Sequence, residues 1–260
     1  MTPENQQNKE TGSKHVDMGV VYDAFSEAFR EADQLPTWRF AGKPAMEKLL
    51  GASFGSNARF LDLGSASARV EAGVLLPAGV RPEEITGVEI SPEQVGMAKA
   101  RIPGAIFFVG DITDVSLLSD QSGEYDVVFS HMVFEHLDDA QLALACANAF
   151  RLLKSKGTFA FVVTHPDKMT DTEGNLVTTF GAFKTTAPWG GELHNWRRSV
   201  EQTLDIVEGA GFQLELVEGV QFPEEPPADL KAEDLAAFRE ASKKYRKYPA
   251  IRLAVKATKP

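Results

Sequence analysis

The chain has 260 residues, of which 43% are hydrophobic and 25% charged, and its formal net charge is −10 at pH 7. These proportions are average for globular proteins and exclude collagen, coiled coils and wholly disordered chains. The acidic balance argues against a nucleic acid as the main partner, because phosphate binding needs a basic surface. There is no apolar run of about 18 residues and no signal-like apolar core near the start, so we expect a cytoplasmic protein without a membrane span.

The single cysteine, Cys146, cannot form an intramolecular disulfide, and the sequence has no Cys/His pattern with zinc spacing. We therefore predict no metal site. The neighbours of Cys146 are small and apolar, which predicts a buried thiol on a helix and not a nucleophile.

Residues 1–16 are rich in polar side chains and lack apolar anchors, which predicts a disordered tail. Apolar residues then recur at helical spacing between Val20 and Phe29. Pro44 begins a second helical pattern, as proline does in a first turn. The region before residue 58 is therefore expected to be helical.

From residue 58 the pattern changes to short apolar runs separated by helical stretches. The runs are Ala58–Leu63, Ile85–Ile90, Ile106–Val109, Tyr125–Phe129, Thr158–Val163 and Phe212–Val217. Apolar strands that alternate with helices indicate a parallel sheet covered on both faces. The alternating stretch from Ile251 predicts a final strand at the edge of the sheet.

Residues 164–198 form a Gly- and Thr-rich excursion between the fifth strand and the helix that follows Ser199. It is longer than an ordinary loop, and such segments usually carry function or flexibility.

Ligands of open α/β sheets bind outside the carboxyl ends of the strands. The first strand here runs into a tight turn from Asp62 to Ala68, and the next two strands lead to Glu89 and Asp111. A carboxylate at the end of the second strand can accept hydrogen bonds from both hydroxyls of a ribose. Asp111 could reach the exocyclic amine of an adenine, and Ile112 could cover one face of its ring.

Four segments carry a family resemblance: Phe60–Ala68, Thr86–Ser91, Phe108–Thr113 and Tyr125–Leu137. Together they resemble the Rossmann-like S-adenosylmethionine-dependent methyltransferases, and among these the small-molecule enzymes related to quinone biosynthesis. The resemblance implies one α/β domain over residues 17–260, with a doubly wound, mostly parallel seven-stranded sheet and an antiparallel last strand. It also implies a helical N-terminal cap (17–57), S-adenosylmethionine as cofactor, and methyl transfer to a small-molecule acceptor, which suits specialised metabolism.

By the same resemblance, nine residues are expected to bind the cofactor: Tyr22, Asp62, Gly64, Ala66, Glu89, Ile90, Asp111, Ile112 and Ser130. The family loop reads Asp-x-Gly-x-Gly-x-Gly, but here Ala66 and Ala68 replace two glycines. Because alanine disfavours a positive φ, we expect a slightly reshaped loop that still binds the cofactor. A nicotinamide dehydrogenase would need glycines at positions 64, 66 and 69, and this chain has one of the three.

Methyl transfer needs the acceptor held in line with the sulfonium, and a base only if the acceptor loses a proton. His131, after the fourth strand, and His194, before a helix, are the candidate catalytic residues. Trp189 and Trp196 are expected to wall the acceptor, whereas His136 is interpreted as structural. We expect residues 164–195 to close over the acceptor and exclude water.

Two other functions remain open at this point. One is a cofactor-binding protein without methyl transfer, acting as a regulator or partner subunit. The other is an enzyme that uses the same pocket for a cyclisation or an elimination. The oligomeric state is also open, with a homodimer among the options.

Overall fold

The structure is a computed structural model that describes residues 18–54, 57–114 and 116–260, without the side chains of residues 29–32. The predicted tail at residues 1–16 lies outside the described residues. No helix in the described part of the chain combines the length and apolarity that a bilayer crossing requires.

The strands divide into one large sheet and one hairpin. They are β1 (Phe60–Leu63), β2 (Ile85–Glu89), β3 (Ile106–Val109), β4 (Tyr125–His131), β5 (Leu153–Thr164), β6 (Gly181–Thr186), β7 (Glu192–Arg197), β8 (Gln213–Val220) and β9 (Arg252–Thr258). The seven-stranded sheet has the order β3-β2-β1-β4-β5-β9-β8, and β9 is antiparallel to both of its neighbours. The predicted sheet, with its antiparallel last strand, is confirmed.

The expectation that the final strand lies at an edge is wrong. β9 lies between β5 and β8, and Leu253, Ala254, Val255 and Ala257 are each at most 2% exposed. Ala254 thus alternates with Leu253 and Val255 because it packs against a covered face of the sheet, and not because it faces solvent. The edge positions belong to β3 and β8.

Helices cover both faces of the sheet. They are α1 (Met18–Ala24), α2 (Ser26–Arg30), α3 (Lys43–Leu50), α4 (Pro92–Arg101), α5 (Asp139–Leu152), α6 (Val200–Gly209) and α7 (Leu235–Tyr245). Successive residues of a strand point to opposite faces, and β5 shows this clearly. Phe159 and Phe161 pack with α5 and α6, whereas Ala160 and Val162 pack with α3.

Local sequence explains where two of these helices begin. The Asp138 carboxylate accepts from the backbone N–H of Gln141, whose side chain in turn accepts from the N–H of Asp138. Ser199 and Gln202 form the same reciprocal pair at the start of α6. Such capping boxes satisfy donors that a helix start leaves open. Cys146 is fully buried in α5, and burial raises the pKa of its thiol to about 12, so it is a core residue.

The excursion after β5 is an ordered structure that the sequence pattern did not reveal. β6 and β7 pair as an antiparallel hairpin, from Gly181 opposite Arg197 to Thr186 opposite Glu192. α7 packs through Phe238 on Phe40 and Phe222, next to the start of β9. The hairpin and α7 thereby lie at the same end of the sheet as the carboxyl ends of β1 to β5.

Candidate active site

The carboxyl ends of the parallel strands open into a cavity of about 1070 Å³. Typical pockets for one small ligand measure roughly 300–1,000 Å³, so this cavity has room for a nucleoside-sized cofactor and a second small molecule. Nine of the predicted site residues line it: Tyr22, Gly64, Ala66, Glu89, Ile90, Asp111, Ile112, His131 and Trp189. Asp62, Ser130, His194 and Trp196 are not among its lining residues.

The turn after β1 keeps the left-handed backbone that glycine favours. The φ angles are +91° at Gly64, +45° at Ala66 and +60° at Ala68. The N–H groups of Gly64 and Ser65 both donate to the Val88 carbonyl, at 2.8 and 3.0 Å. These bonds anchor the turn to β2, and the two alanines follow the path that glycine would take at an energetic cost.

Glu89 holds this turn from the neighbouring strand. Its carboxylate accepts from the backbone N–H groups of Ala66, at 3.0 Å, and Ser91, at 2.9 Å. Burial raises the pKa of Glu89, and these N–H donors oppose the rise. A carboxylate has about four acceptor positions, so Glu89 can still receive two hydroxyl donors from the cavity.

Asp62 and Ser130 support the turn from beneath and do not face the cavity. The Ser130 hydroxyl donates to the Leu63 carbonyl at 2.7 Å, and its residue is 1% exposed. Asp62 is buried beside the buried Glu71. This geometry does not support direct cofactor contact by either residue, because both side chains are directed into the protein.

Asp62 and Glu71 form a buried pair of carboxyl groups. Burial and then the charge of Glu71 raise the pKa of Asp62 well above its ordinary value, and burial raises that of Glu71 to about 7. Two adjacent carboxylates cannot both be ionised cheaply in such surroundings. At least one group of the pair therefore keeps its proton near neutral pH.

The carboxyl ends of β2 and β3 provide an aliphatic wall, and the end of β3 also provides an acid. One oxygen of Asp111 accepts from the N–H and the hydroxyl of Thr113, at 2.8 and 2.7 Å, which fixes the turn. Ile90 and Ile112 also line the cavity, and Ile90 is 40% exposed. An exposed isoleucine on a cavity wall suits contact with a flat apolar ligand surface.

His136 connects the N-terminal helices to the hairpin. Its Nδ1 lies 3.1 Å from the carbonyl oxygen of His194, and its Nε2 lies 3.1 Å from the Tyr22 hydroxyl. Because a carbonyl can only accept, Nδ1 donates to it, and Nε2 forms the second hydrogen bond with the Tyr22 hydroxyl. His136 thus ties α1 to β7 across the cavity, in keeping with the structural interpretation made from the sequence.

The hairpin directs His194 and Trp196, which were predicted to lie beside the methyl acceptor, away from the cavity. Leu193 and Asn195 line it, and the strand alternation places His194 and Trp196 on the opposite side of β7. The His194 imidazole instead lies 3.7 Å from a Glu192 carboxylate oxygen. The expected roles of His194 as a base and of Trp196 as an acceptor wall are not supported by this placement.

His131 lies in the cavity wall with its ring edge against Trp38, at 4.9 Å between ring centroids. Its Nε2 is buried and has no hydrogen-bond partner among the described residues. Burial, together with the charges of Arg69 and Arg252, lowers the pKa of His131 well below its ordinary value. The imidazole is therefore neutral at pH 7 and a poor proton acceptor, but it can still hydrogen-bond a ligand.

Sequence reasoning missed six charged residues that line the cavity: Arg69, Glu135, Lys168, Glu240, Lys244 and Arg252. Lys168 follows β5, and its position after a strand end could have identified it. Arg252 begins β9, and only the antiparallel direction of that strand brings its start to the site. No group of three His, Cys, Asp or Glu side chains within the described ranges is arranged to hold a metal ion.

Two substitutions in the turn after β1 should change the free energy of unfolding in opposite directions. Ala66→Gly should raise the free energy of unfolding by up to about 1 kcal/mol, because glycine relieves the left-handed strain. Gly64→Ala should lower it by more than that, since the new Cβ would lie 2.4 Å from Val133 Cγ2. Urea unfolding of both variants measures the two effects, and a destabilised Ala66→Gly would show that its methyl group is needed.

The Asp62–Glu71 pair predicts a pH dependence of stability. Folding raises the pKa of Glu71 from 4.5 to about 7, so between these values the folded protein retains a proton that the unfolded chain releases. The free energy of unfolding should therefore fall as the pH rises through this window, by at most about 1.4 kcal/mol per pH unit for one proton. Because burial also raises the pKa of Asp62, it is the double variant Asp62→Asn/Glu71→Gln that should flatten the slope in urea unfolding at about pH 5 to 8.

Glu84→Gln is the matched control for the pH experiment. Glu84 bonds Arg81, and this contact lowers its pKa, so its stability contribution changes only at more acidic pH. Its removal should leave the slope between about pH 5 and 8 unchanged. An unchanged slope in the double variant as well would show that the buried pair does not hold the proton.

Comparison with known proteins agrees with this geometry. A family model described as a methyltransferase domain matches residues 61–161. An uncharacterized methyltransferase of Synechocystis is 29% identical over 105 residues, which are 40% of this chain. The match spans about half of that relative, 48% of its length.

Solved structures extend the likeness over most of the chain. An S-adenosylmethionine-dependent methyltransferase from Listeria monocytogenes, described as putative, has 20% identity and a TM-score of 0.59, covering 84% of this chain and 99% of its own. The 1,6-didemethyltoxoflavin N1-methyltransferase of Burkholderia thailandensis, solved with S-adenosylhomocysteine, has 16% identity and a TM-score of 0.56, covering 93% and 88%. The narrower relation to quinone-biosynthesis enzymes stays a prediction. A methyltransferase-domain model thus matches the central part of the chain, and the whole has the fold of the class I S-adenosylmethionine-dependent methyltransferases, whose cofactor is S-adenosylmethionine.

Proposed function

We propose that this protein transfers the methyl group of S-adenosylmethionine to a small-molecule acceptor bound in the same cavity. The observation that carries the proposal is that one cavity joins two differently built walls. The strand ends at Gly64, Glu89 and Asp111 form the first wall, and Trp38, His131 and the residues after β5 form the second. A cavity built in this way suits a nucleoside cofactor on one side and an acceptor on the other.

The first wall fits the cofactor. The two unused acceptor positions of Glu89 suit the ribose hydroxyls, and Ile90 and Ile112 suit the faces of an adenine ring. When bound, the cofactor supplies a methyl group already activated by the sulfonium charge.

The contribution of the protein is then mainly placement and the exclusion of water. Holding the acceptor in line with the methyl group removes much of the entropic barrier. The Tyr22–His136–β7 connection and α7 enclose the space in which the two molecules would meet. Because the pKa of His131 is depressed, we assign it to hydrogen bonding of the acceptor and not to proton removal.

A small acceptor is favoured over a macromolecule. The hairpin and α7 both contribute lining residues to the second wall, which favours a compact acceptor over an extended chain. The net charge of −10 also disfavours a nucleic acid.

Substitution of Glu89 tests the cofactor wall. Glu89→Gln replaces one acceptor oxygen with a donor, so affinity for S-adenosylhomocysteine should fall by about 1.5–3 kcal/mol, the range for hydrogen bonds to a charged group. Isothermal titration calorimetry measures this loss. Glu84→Gln, at the other end of β2 and similarly buried at 8% against 7% exposed, should bind as the wild type does. Equal losses in both variants would refute the assignment.

Transfer of a labelled methyl group tests the reaction itself. The purified protein is incubated with methyl-labelled S-adenosylmethionine and a small-molecule extract of its source, and products are examined by mass spectrometry. We expect a labelled product that is one methylene unit heavier than its precursor. Cofactor binding without label transfer would favour a non-transferring binding protein, and an unlabelled product of unchanged mass would favour a cyclisation.

A further inference from the structure

The acceptor wall of this acidic protein is locally basic. Lys168, Lys244 and Arg252 line it, against two carboxylates, Glu135 and Glu240. The whole chain has 37 acidic and 27 basic side chains, so an excess of cations in this place is opposite to the overall charge. The excess points to a ligand that supplies negative charge.

Arg252 is buried with incomplete hydrogen bonding. It is 6% exposed, and its Nη1 donates to the carbonyl of Ile251 at 3.2 Å. Its Nε is buried without a hydrogen-bond partner among the described residues, none of whose carboxylates lies within 4.0 Å of the guanidinium. Burying a guanidinium without a counter-ion is unfavourable.

Glu135 does not neutralise Arg252. One of its carboxylate oxygens accepts from the hydroxyl of Thr164 at 3.1 Å, and the other is buried without a partner in the part of the chain that the structure describes. Glu135 is close enough to oppose the fall in the pKa of Arg252, but it forms no ion pair with it. The space between these groups belongs to the cavity.

Lys168 adds a second cation without an ion pair. Its Nζ lies 5.5 Å from the ring centroid of Tyr245, and no carboxylate of the described residues lies within 4.0 Å of it. Burial, followed by the charges of Arg252 and Lys244, lowers the pKa of Lys168 to about 7. A bound anion would restore the charge of this lysine.

We propose that the acceptor is a small carboxylate, preferably aromatic, whose anionic group is bound between Lys168 and Arg252. Tyr245, Tyr248 and Phe183 line the same part of the cavity and provide apolar surface for a ring. The guanidinium of Arg252 can meet both oxygens of a carboxylate, as this pairing does elsewhere. The carboxylate anchors the acceptor, whichever atom receives the methyl group. The inference rests on the proposed function, since it names the class of acceptor for that site.

Three aromatic probes of similar size but different charge test the preference of the site for an anion. Benzoate, benzamide and benzylamine are titrated calorimetrically into the protein saturated with S-adenosylhomocysteine. Benzoate should bind at least tenfold more tightly than the neutral amide or the cationic amine. Equal binding of benzoate and benzamide, or no binding of benzoate, would overturn the proposal.

Substitutions then locate the anion. Lys168→Met and Arg252→Met should each weaken benzoate binding at least tenfold and leave S-adenosylhomocysteine affinity within threefold. Arg252→Lys keeps the positive charge and should recover part of the lost benzoate affinity. It replaces Arg252→Met in the experiment if the methionine variant does not fold. Lys243→Met is the control, because Lys243 is an exposed residue of α7 that does not line the cavity. Benzoate binding that survives both methionine substitutions would place the anion elsewhere.

The acceptor proposal and the reaction proposal fail in different ways. Before the labelled-methyl assay, the extract is separated on an anion exchanger. Label transfer only to compounds in the unretained fraction would overturn the carboxylate and leave the methyltransferase intact. If the protein binds benzoate but does not bind S-adenosylhomocysteine, the anion site stands and the methyltransferase proposal is overturned.

Discussion

The left-handed turn after β1 is the constraint on which the site depends. Its first N–H groups bond the Val88 carbonyl of β2, and its Ala66 N–H bonds Glu89 at the end of that strand. The turn can follow this path only because Gly64 has no side chain, since Val133 occupies the space where a Cβ would lie. Backbone geometry, the carboxylate and the neighbouring strand end are therefore fixed together.

Beneath the turn, the protein tolerates an unusual electrostatic arrangement. The Asp62 and Glu71 carboxyl groups are buried side by side, and the retention of a proton near neutral pH makes this possible. Neither side chain lines the cavity, but the charge of Glu89, which does line it, contributes to the raised pKa of Asp62. The cavity keeps Glu89 and Asp111 as its acidic groups on the cofactor side, where hydroxyl and amine donors are expected.

Much of the cofactor side could be predicted from the sequence because it depends on local order. A short apolar run followed by a tight turn and an acid identifies a strand end without knowledge of the fold. This reasoning placed Gly64, Glu89 and Asp111 at one edge, and the structure brings all three to the cavity. It could not separate Asp62 and Ser130 from them, since side-chain direction at a strand end depends on packing with the layer below.

The acceptor side was harder to predict because it depends on contacts between distant segments. His194 and Trp196 are near the site in sequence, yet the register of β7 directs them away and presents Leu193 and Asn195. A one-residue change in register would exchange the two sets. The local sequence of residues 164–198 does not predict this register, because the pairing of β7 with β6 determines it.

The insertion of β9 between β5 and β8 has a consequence for the order in which the site can form during synthesis. Residues up to Thr164 include all five parallel strands that provide the cofactor wall. Arg252 follows β8 by more than thirty positions and takes its place only when the strand it begins enters the sheet. A ribosome-bound chain could therefore complete the nucleotide half of the cavity well before the half that selects the second molecule. Of the residues that line the cavity, Arg252 is the last to leave the ribosome.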